Sequence, residues 1–246
     1  MAFAWPEGKR CAVSLSFDDA RPSQLDAGVP LFAEYGVHAS FYVLPCNVEK
    51  RIEDWRAAAA AGHELGNHTM SHPCSGNFAF SRENALEGYT LARMERELLE
   101  CNRCIETLCG VTPHTFAYPC GQTYVGRGPD TRSYVPLVAK HFLAGRGFPN
   151  ECANAPAFMD LAQSAGCSFD QLPFDALRKM IETAGGEGGW LVLAGHDIGG
   201  EDRHQTVHTD ALRALCEFAM HPANGIWMDT VSNVASYIRE WQEHER

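Results

Sequence analysis

Short apolar segments alternate with longer amphipathic segments along the chain, which is the pattern of β-strands followed by α-helices. Residues 11–17 form the first β-type segment, which ends abruptly at the acidic pair Asp18-Asp19. A helix is predicted over residues 24–35 and a second strand over residues 38–44, each stopped by a glycine or a proline. These residues predict one βαβ unit.

The same alternation continues towards the C-terminus. We predict further helices over residues 52–61, 82–108, 134–140, 175–184, 210–220 and 231–241, and further strands ending at His68 and over residues 115–118, 141–144, 190–196 and 225–228. Residues 121–130 predict an irregular loop, whereas residues 147–173 show no interpretable pattern. About seven strand-helix units, with strands apolar on both faces, predict an α/β fold and favour a (β/α) barrel over an open sheet.

Length and charge limit the domain organisation and the partners that this chain can have. A chain of 246 residues can form one domain with a sizeable core, so a single domain over residues 1–246 is our expectation. The formal charge of −11 argues against a nucleic-acid partner and favours a neutral substrate or a cation. Neither a membrane span nor an export signal is recognisable, which predicts a cytoplasmic protein, with a trimmed secreted chain as the alternative.

The ten cysteines predict mostly reduced thiols, because they are scattered through a chain of this size and follow no export signal. Cys101 and Cys104 have the spacing of a redox or zinc motif. They lie in an amphipathic helical pattern without a second cysteine pair, so we interpret them as thiols on a helix face.

The barrel prediction brings reactive side chains together, since catalytic residues of such barrels lie at the carboxyl ends of the strands. The residues at predicted strand ends are Asp18, Asp19, His68, His72, Cys120 and His196. Two histidines four residues apart can bind one divalent metal ion through their ring nitrogens. One aspartate of the pair can complete this site while the other accepts a proton from water.

Other interpretations of these residues stay open. Asp18-Asp19 can instead cap the following helix through their carboxylate oxygens. His196 can be a hydrogen-bonded core histidine. We assign no function to His63, and we expect His204 and His208 to lie at the surface.

Four motifs in this order resemble the polysaccharide deacetylases, the carbohydrate esterases with a NodB homology domain. They are Ser16-Phe17-Asp18-Asp19, His68-Thr69-Met70-Ser71-His72, Phe116-Ala117-Tyr118-Pro119-Cys120-Gly121 and Leu193-Ala194-Gly195-His196. The resemblance covers residues 13–237. It implies a distorted (β/α) barrel and a divalent metal, usually Zn²⁺ with Co²⁺, Ni²⁺ or Mn²⁺ as alternatives. The implied activity is hydrolytic removal of acetyl groups from amino sugars or from esters.

The resemblance also implies roles for individual residues. Asp19, His68 and His72 match the family's metal ligands, and Asp18 matches its catalytic base. His196 matches the catalytic acid, and the backbone N–H of Cys120 takes the place of an oxyanion donor.

The chain departs from the family pattern at several positions. Ala117 stands where the family commonly has an arginine paired with the base, and Ala20 stands where glycine is usual. Arg146 is a candidate replacement for the arginine, and Trp190 and Asp170 are candidates for orienting the acid histidine.

The departures leave the substrate open. An acetylated oligosaccharide and a small cyclic amide or imide are both compatible with the motifs, as is a noncatalytic carbohydrate-binding module. We expect neither a nucleic acid nor a membrane as partner, and the oligomeric state is unknown.

Overall fold

The computed structural model describes residues 2–200 and 203–245. The main sheet contains these strands: β1 (Cys11–Asp18), β2 (Ser40–Val43), β3 (Glu64–Asn67), β4 (Thr115–Ala117), β5 (Ala144–Arg146), β6 (Gly166–Ser168), β7 (Trp190–Gly195) and β8 (Ile226–Met228). Short ribbons pair Tyr124–Val125 with Arg132–Ser133 and Asp197–Gly199 with Thr206–His208.

Seven of these strands form a nearly closed parallel barrel in the order β6-β7-β1-β2-β3-β4-β5. On one side of β1 lies β7, and β2 and β8 share the other side because they pair with opposite ends of β1. The remaining gap lies between β5 and β6. Ser164 bridges it, since its backbone N–H donates to Gly145 at 2.8 Å and its carbonyl accepts from Gly147 at 2.8 Å. The (β/α) barrel prediction is confirmed.

Helices surround the barrel. They are α1 (Val29–Tyr35), α2 (Pro45–Val48), α3 (Ile52–Ala60), α4 (Leu91–Cys109), α5 (Val135–His141), α6 (Phe174–Glu187), α7 (Thr209–Met220) and α8 (Val231–His244), with a π-helical turn at Gln24–Gly28. Short 3₁₀ segments occur at Pro6–Gly8, Glu49–Arg51, Ala79–Asn84, Leu86–Gly88, Pro119–Gly121, Gly128–Asp130, Leu161–Gln163 and Pro222–Asn224.

Strand β1 is buried along its whole length and sets the direction of the acidic pair. Its alternate side chains face opposite sides of the sheet, and Ser14 faces Trp190, whose indole N–H donates to the Ser14 hydroxyl at 3.0 Å. Asp18 lies four residues after Ser14, so its side chain is on the same face of the strand. The strand therefore directs the Asp18 carboxylate into the end of the barrel.

Several element boundaries differ from the predictions. The helix predicted over residues 82–108 begins only at Leu91, because the hydroxyl of Thr90 caps it by accepting from the N–H of Arg93. The strand predicted over residues 141–144 is Ala144–Arg146 instead, since its first residue ends helix α5.

Helix α6 also runs further than predicted, through the two glycines expected to stop it. It ends at Glu187, where Gly188 adopts a left-handed backbone with φ 68°. The uninterpreted residues 147–173 contain one 3₁₀ turn and strand β6, and the loop predicted over 121–130 forms half of a short ribbon. Within 2–200 and 203–245, no helix is long and apolar enough to cross a membrane.

Candidate active site

The carboxyl ends of the barrel strands surround a cavity of about 770 Å³. Its lining residues are Asp18, Asp19, Arg21, Leu44, Asn47, His72, Phe78, Phe80, Cys120, Phe148, Pro149, His196, His204 and Gln205. Five of the six residues predicted at strand ends therefore line one cavity, and the sixth, His68, lies behind them, buried against Asp18 and Asp19.

Asp19, His68 and His72 form a compact group of metal-type ligands. The Oδ1 atom of Asp19 lies 3.7 Å from Nε2 of His68 and 3.6 Å from Nε2 of His72. All three ligand atoms lie within 4.8 Å of one another. Two imidazoles and one carboxylate suit a divalent ion such as zinc and leave further coordination positions open, so these residues fit the metal that the resemblance implies.

The ring orientations of both histidines suit metal binding. Nδ1 of His68 lies 2.9 Å from the carbonyl oxygen of Ala117, so donation from Nδ1 leaves the Nε2 lone pair directed at Asp19. Burial, together with the neighbouring His68, lowers the pKa of His72 to about 4. A neutral imidazole is the form that binds a metal ion.

Left-handed backbone conformations are concentrated at this site. Asp19, Thr69, His72 and Cys120 have φ values of 75°, 67°, 49° and 52°. Non-glycine residues adopt this region at a cost of about 1–2 kcal/mol each. The turns that follow β1, β3 and β4 therefore direct their side chains at one point at the expense of local backbone strain.

Asp18 is paired with a buried arginine from another strand. Arg146 at the end of β5 donates a hydrogen bond to Oδ1 of Asp18, and its side chain is fully buried. Burial alone would raise the pKa of Asp18, but the positive charges of Arg146, His68 and His196 outweigh burial and lower that pKa to about 2. Arg146, the register partner of Ala117 on the neighbouring strand, thus makes the pairing with Asp18 that the resemblance places at residue 117.

We expect Arg146→Met to lower the free energy of unfolding by about 3–5 kcal/mol, because it leaves the Asp18 carboxylate buried without its charged partner. Urea denaturation measures this loss. The double variant Asp18→Asn/Arg146→Met should recover part of it, since no buried charge then remains at the pair. If the losses in free energy of unfolding of the two single variants simply added in the double variant, the coupling between Asp18 and Arg146 would be contradicted.

Asp170 orients His196. Its Oδ2 lies 2.7 Å from Nδ1 of His196, and its Oδ1 accepts from the backbone N–H of His196 at 3.0 Å. Burial by itself lowers the pKa of His196, but the hydrogen bond to Asp170 and the nearby carboxylates outweigh burial and raise that pKa. Of the two candidates for this role, Asp170 makes the contact, whereas Trp190 donates to Ser14 inside the barrel.

We expect Asp170→Asn to move the alkaline limb of the kcat/KM profile to lower pH. If His196 is the catalytic acid that the resemblance implies, it must be protonated to donate its proton, so activity falls as the pH rises through its pKa. Removing the Asp170 charge lowers that pKa. A pH series of kcat/KM on wild type and variant measures the shift. Asp160→Asn, a remote carboxylate, is the control, and an unmoved limb would refute the role of Asp170.

Cys120 forms a disulfide with Cys74, with a Cα–Cα distance of 6.2 Å. The expectation of reduced thiols is therefore wrong for these two residues, while the other eight cysteines are free. The pair is separated by 46 residues. It meets because the loops after β3 and β4 lie at the same end of the barrel, a proximity that no local spacing reveals.

Arg21 is a site residue that our sequence reasoning missed. It donates to Oδ2 of Asp19 at 2.9 Å, to Asp197 at 2.7 Å and to Gln205 at 2.8 Å. Arg21 therefore holds the carboxylate oxygen of Asp19 that faces away from His68 and His72. Its position two residues after Asp19 was the available signal.

Gln24 is a second missed residue. Its side-chain amide donates to the carbonyl oxygens of Asp18 at 2.6 Å and of His196 at 3.0 Å. It thereby ties together the ends of β1 and β7, which carry the two residues predicted to transfer protons. A buried glutamine in an amphipathic helical pattern gives no sequence signal of such a contact.

Comparison with known proteins connects this site to a family. The family model described as "Polysaccharide deacetylase" matches residues 6–131. A gellan lyase from a Bacillus species is 30% identical over 145 residues, which are 58% of this chain and 5% of that protein. A chitooligosaccharide deacetylase from Sinorhizobium fredii is 33% identical over 99 residues, which are 40% of this chain and 41% of that protein. The alignments thus cover less than half of each relative's length.

Solved structures share the fold. A protein described as a polysaccharide deacetylase from Mycobacterium smegmatis has a TM-score of 0.71 at 17% identity, with 98% of this chain and 94% of that chain covered. A family 4 acetyl xylan esterase from Clostridium thermocellum, in complex with a cobalt ion, has a TM-score of 0.58 at 18% identity, with coverage of 92% and 90%. At such identities the likeness concerns the fold alone.

Proposed function

The chain belongs to the polysaccharide deacetylase family, and from this premise we propose that it is a metal-dependent hydrolase that removes acetyl groups from N-acetylated carbohydrate, or from O-acetylated carbohydrate. The observation that carries the proposal is the metal-type triad of Asp19, His68 and His72 beside Asp18 and His196 at one cavity. We further propose that residues 1–246 act as one catalytic domain.

Asp19, His68 and His72 would hold the divalent metal, with Zn²⁺ as the first choice and Co²⁺, Ni²⁺ or Mn²⁺ as alternatives. The solved relative with a cobalt ion supports a divalent metal in this fold. When bound, the ion supplies Lewis acidity that polarises the substrate carbonyl and makes water easier to deprotonate.

Asp18 acts as the general base in this proposal. Arg146 engages its Oδ1, and its Oδ2 faces the triad, 3.9 Å from Nε2 of His68. The carboxylate is ionised at neutral pH because its pKa is about 2. It can therefore accept a proton from the attacking water.

Cys120 and His196 complete the reaction. The backbone N–H of Cys120 donates to the oxyanion that forms at the acetyl carbon. His196, held by Asp170 and protonated over a wider pH range because its pKa is raised, donates its proton to the departing nitrogen or oxygen. The arginine missing from the third motif was the reason to consider a noncatalytic module, and the Arg146–Asp18 pair supports the catalytic alternative.

The cavity favours a neutral substrate with an apolar face. Phe80 and Phe78 on the rim are 69% and 41% exposed, and their ring centroids lie 5.5 Å apart. Arg21, a cation on the cavity wall, is already paired with Asp19 and Asp197. A sugar ring can pack against such exposed aromatic rings. The residues that line the cavity include no unpaired Lys or Arg side chain that would select an anionic polymer.

Hydrolysis by the metal-loaded protein tests the proposal. The panel contains acetylated chito-oligosaccharides, acetylated xylan, a generic acetyl ester and cyclic imides, each with and without a chelator. We expect acetate release that chelator abolishes and added Zn²⁺ restores. Imide opening without acetate release would instead favour a hydrolase of small cyclic amides, and metal binding without any turnover would favour a carbohydrate-binding module.

A further inference from the structure

We propose that the Cys74–Cys120 disulfide is a positioning element of the active site, and that its reduction lowers turnover. The bond joins the loop that carries His72 to the residue that donates the oxyanion N–H. This inference rests on the proposed function for the role of Cys120. Neither the motifs nor the spacing of the cysteines assigns any role to the bond.

The Cys120 side of the bond depends on its surroundings for its conformation. Cys120 has φ 52°, a left-handed conformation that costs a non-glycine residue about 1–2 kcal/mol. Such conformations persist only where neighbouring structure holds them. The next residue, Gly121, packs directly against the backbone of Phe148, since a Cβ at Gly121 would lie 1.4 Å from the carbonyl oxygen of Phe148. The disulfide holds the turn from the other side.

The Cys74 side is a rigid anchor. Cys74 is fully buried, its N–H donates to the Ser81 hydroxyl at 2.7 Å, and its carbonyl accepts from that hydroxyl at 3.0 Å. The N–H of Leu86 donates to the same carbonyl at 3.0 Å. A covalent bond to this anchor therefore limits how far the backbone of Cys120 can move.

The bond also contacts a metal ligand. Sγ of Cys74 lies 3.6 Å from Nδ1 of His72, a weak contact compared with the 2.9 Å between Nδ1 of His68 and the Ala117 carbonyl. A sulfur atom fixed by a disulfide is an acceptor but not a donor. It therefore favours the His72 tautomer that carries the proton on Nδ1 and leaves Nε2 for the metal.

Reduction removes both constraints. With a phosphine reductant, the S–S bond breaks, two thiols form and the phosphine is oxidised to its oxide with oxygen from water. The Cys74 thiol can then act as a donor towards Nδ1 of His72, and the Cys120 backbone can leave the left-handed region. The oxyanion donor loses its position, and the metal ligand loses its preferred tautomer.

Thiol counting tests the bond itself. Protein purified without reductant and denatured should show eight reactive thiols, and ten after phosphine treatment. Ten thiols before treatment would overturn the proposal at this step.

Kinetics and metal titration then test the role. After reduction and removal of the phosphine, we expect kcat at saturating Zn²⁺ to fall roughly 10- to 100-fold with little change in KM, and Zn²⁺ affinity to fall about tenfold. Cys74→Ser and Cys120→Ser should each show the same losses without reductant and no further response to it. Cys152→Ser, an exposed free cysteine, should respond to phosphine like the wild type.

Unchanged kcat and unchanged Zn²⁺ affinity on reduction, or a higher kcat, would overturn the proposal. Circular dichroism of the reduced wild type shows whether the protein is still folded, and so separates displacement of Cys120 and His72 from unfolding. If no form of the protein releases acetate, the proposed function fails. The Zn²⁺ titration still decides whether the disulfide positions His72, so the two failures are distinguishable.

Discussion

His68→Ala should abolish metal binding and hydrolysis together. His68 is 1% exposed and lies behind the cavity, where its Nε2 is 3.7 Å from the Asp19 carboxylate. Removing it leaves Asp19 and His72, on two separate turns, as the remaining members of the proposed triad, and two protein ligands do not hold a divalent ion tightly. We expect Zn²⁺ affinity to fall by at least about 100-fold, as measured by calorimetric titration.

A matched control separates this effect from the general loss of a histidine. His38→Ala removes an exposed histidine just before β2, at the opposite end of the barrel. It should retain full Zn²⁺ affinity and chelator-sensitive turnover. Tight Zn²⁺ binding by folded His68→Ala protein would rule out the triad as the metal site.

Asp18→Asn should retain the metal and lose turnover. The amide is nearly isosteric with the carboxylate, and its oxygen can still accept a hydrogen bond from Arg146. It cannot accept a proton from water at neutral pH. We expect kcat to fall by about 10²–10⁴-fold, the usual contribution of a general base, with Zn²⁺ affinity within a few fold of wild type.

Asp54→Asn provides the matched control, because it makes the same change at an exposed carboxylate that pairs with Arg51. Its kcat should equal that of the wild type. If Asp18→Asn lost the metal but kept its turnover per bound ion, Asp18 would be a ligand rather than a base, and the roles assigned to Asp18 and Asp19 would have to be exchanged.

The sequence was sufficient to predict the barrel and most of the site for one physical reason. Parallel strands end at the same edge, so reactive side chains at the ends of β1, β3 and β7 must lie near one another. The acidic pair at β1 and the spacing of His68 and His72 therefore predicted a site of which Asp18, Asp19 and His72 line one cavity. His68 lies directly behind the wall of that cavity.

The residues that support the site could only be guessed or were missed. Arg146 and Asp170 were candidates without a contact to justify them, because a pairing across 128 residues, as for Arg146 and Asp18, depends on barrel closure rather than on local pattern. The disulfide was missed for the same reason. The boundary errors at α6 and β5 arose where glycines or short apolar segments are compatible with either structure.

The Arg146–Asp18 pair has a consequence for how such chains are classified. The guanidinium reaches the carboxylate from β5, and Gly166 leaves room for it, since a Cβ there would lie 2.4 Å from Cδ of Arg146. The family match ends at residue 131, before this arginine. A pattern search that demands the arginine in the third motif would discard this chain as inactive. A search for a buried arginine paired with the aspartate at the end of β1 would retain it.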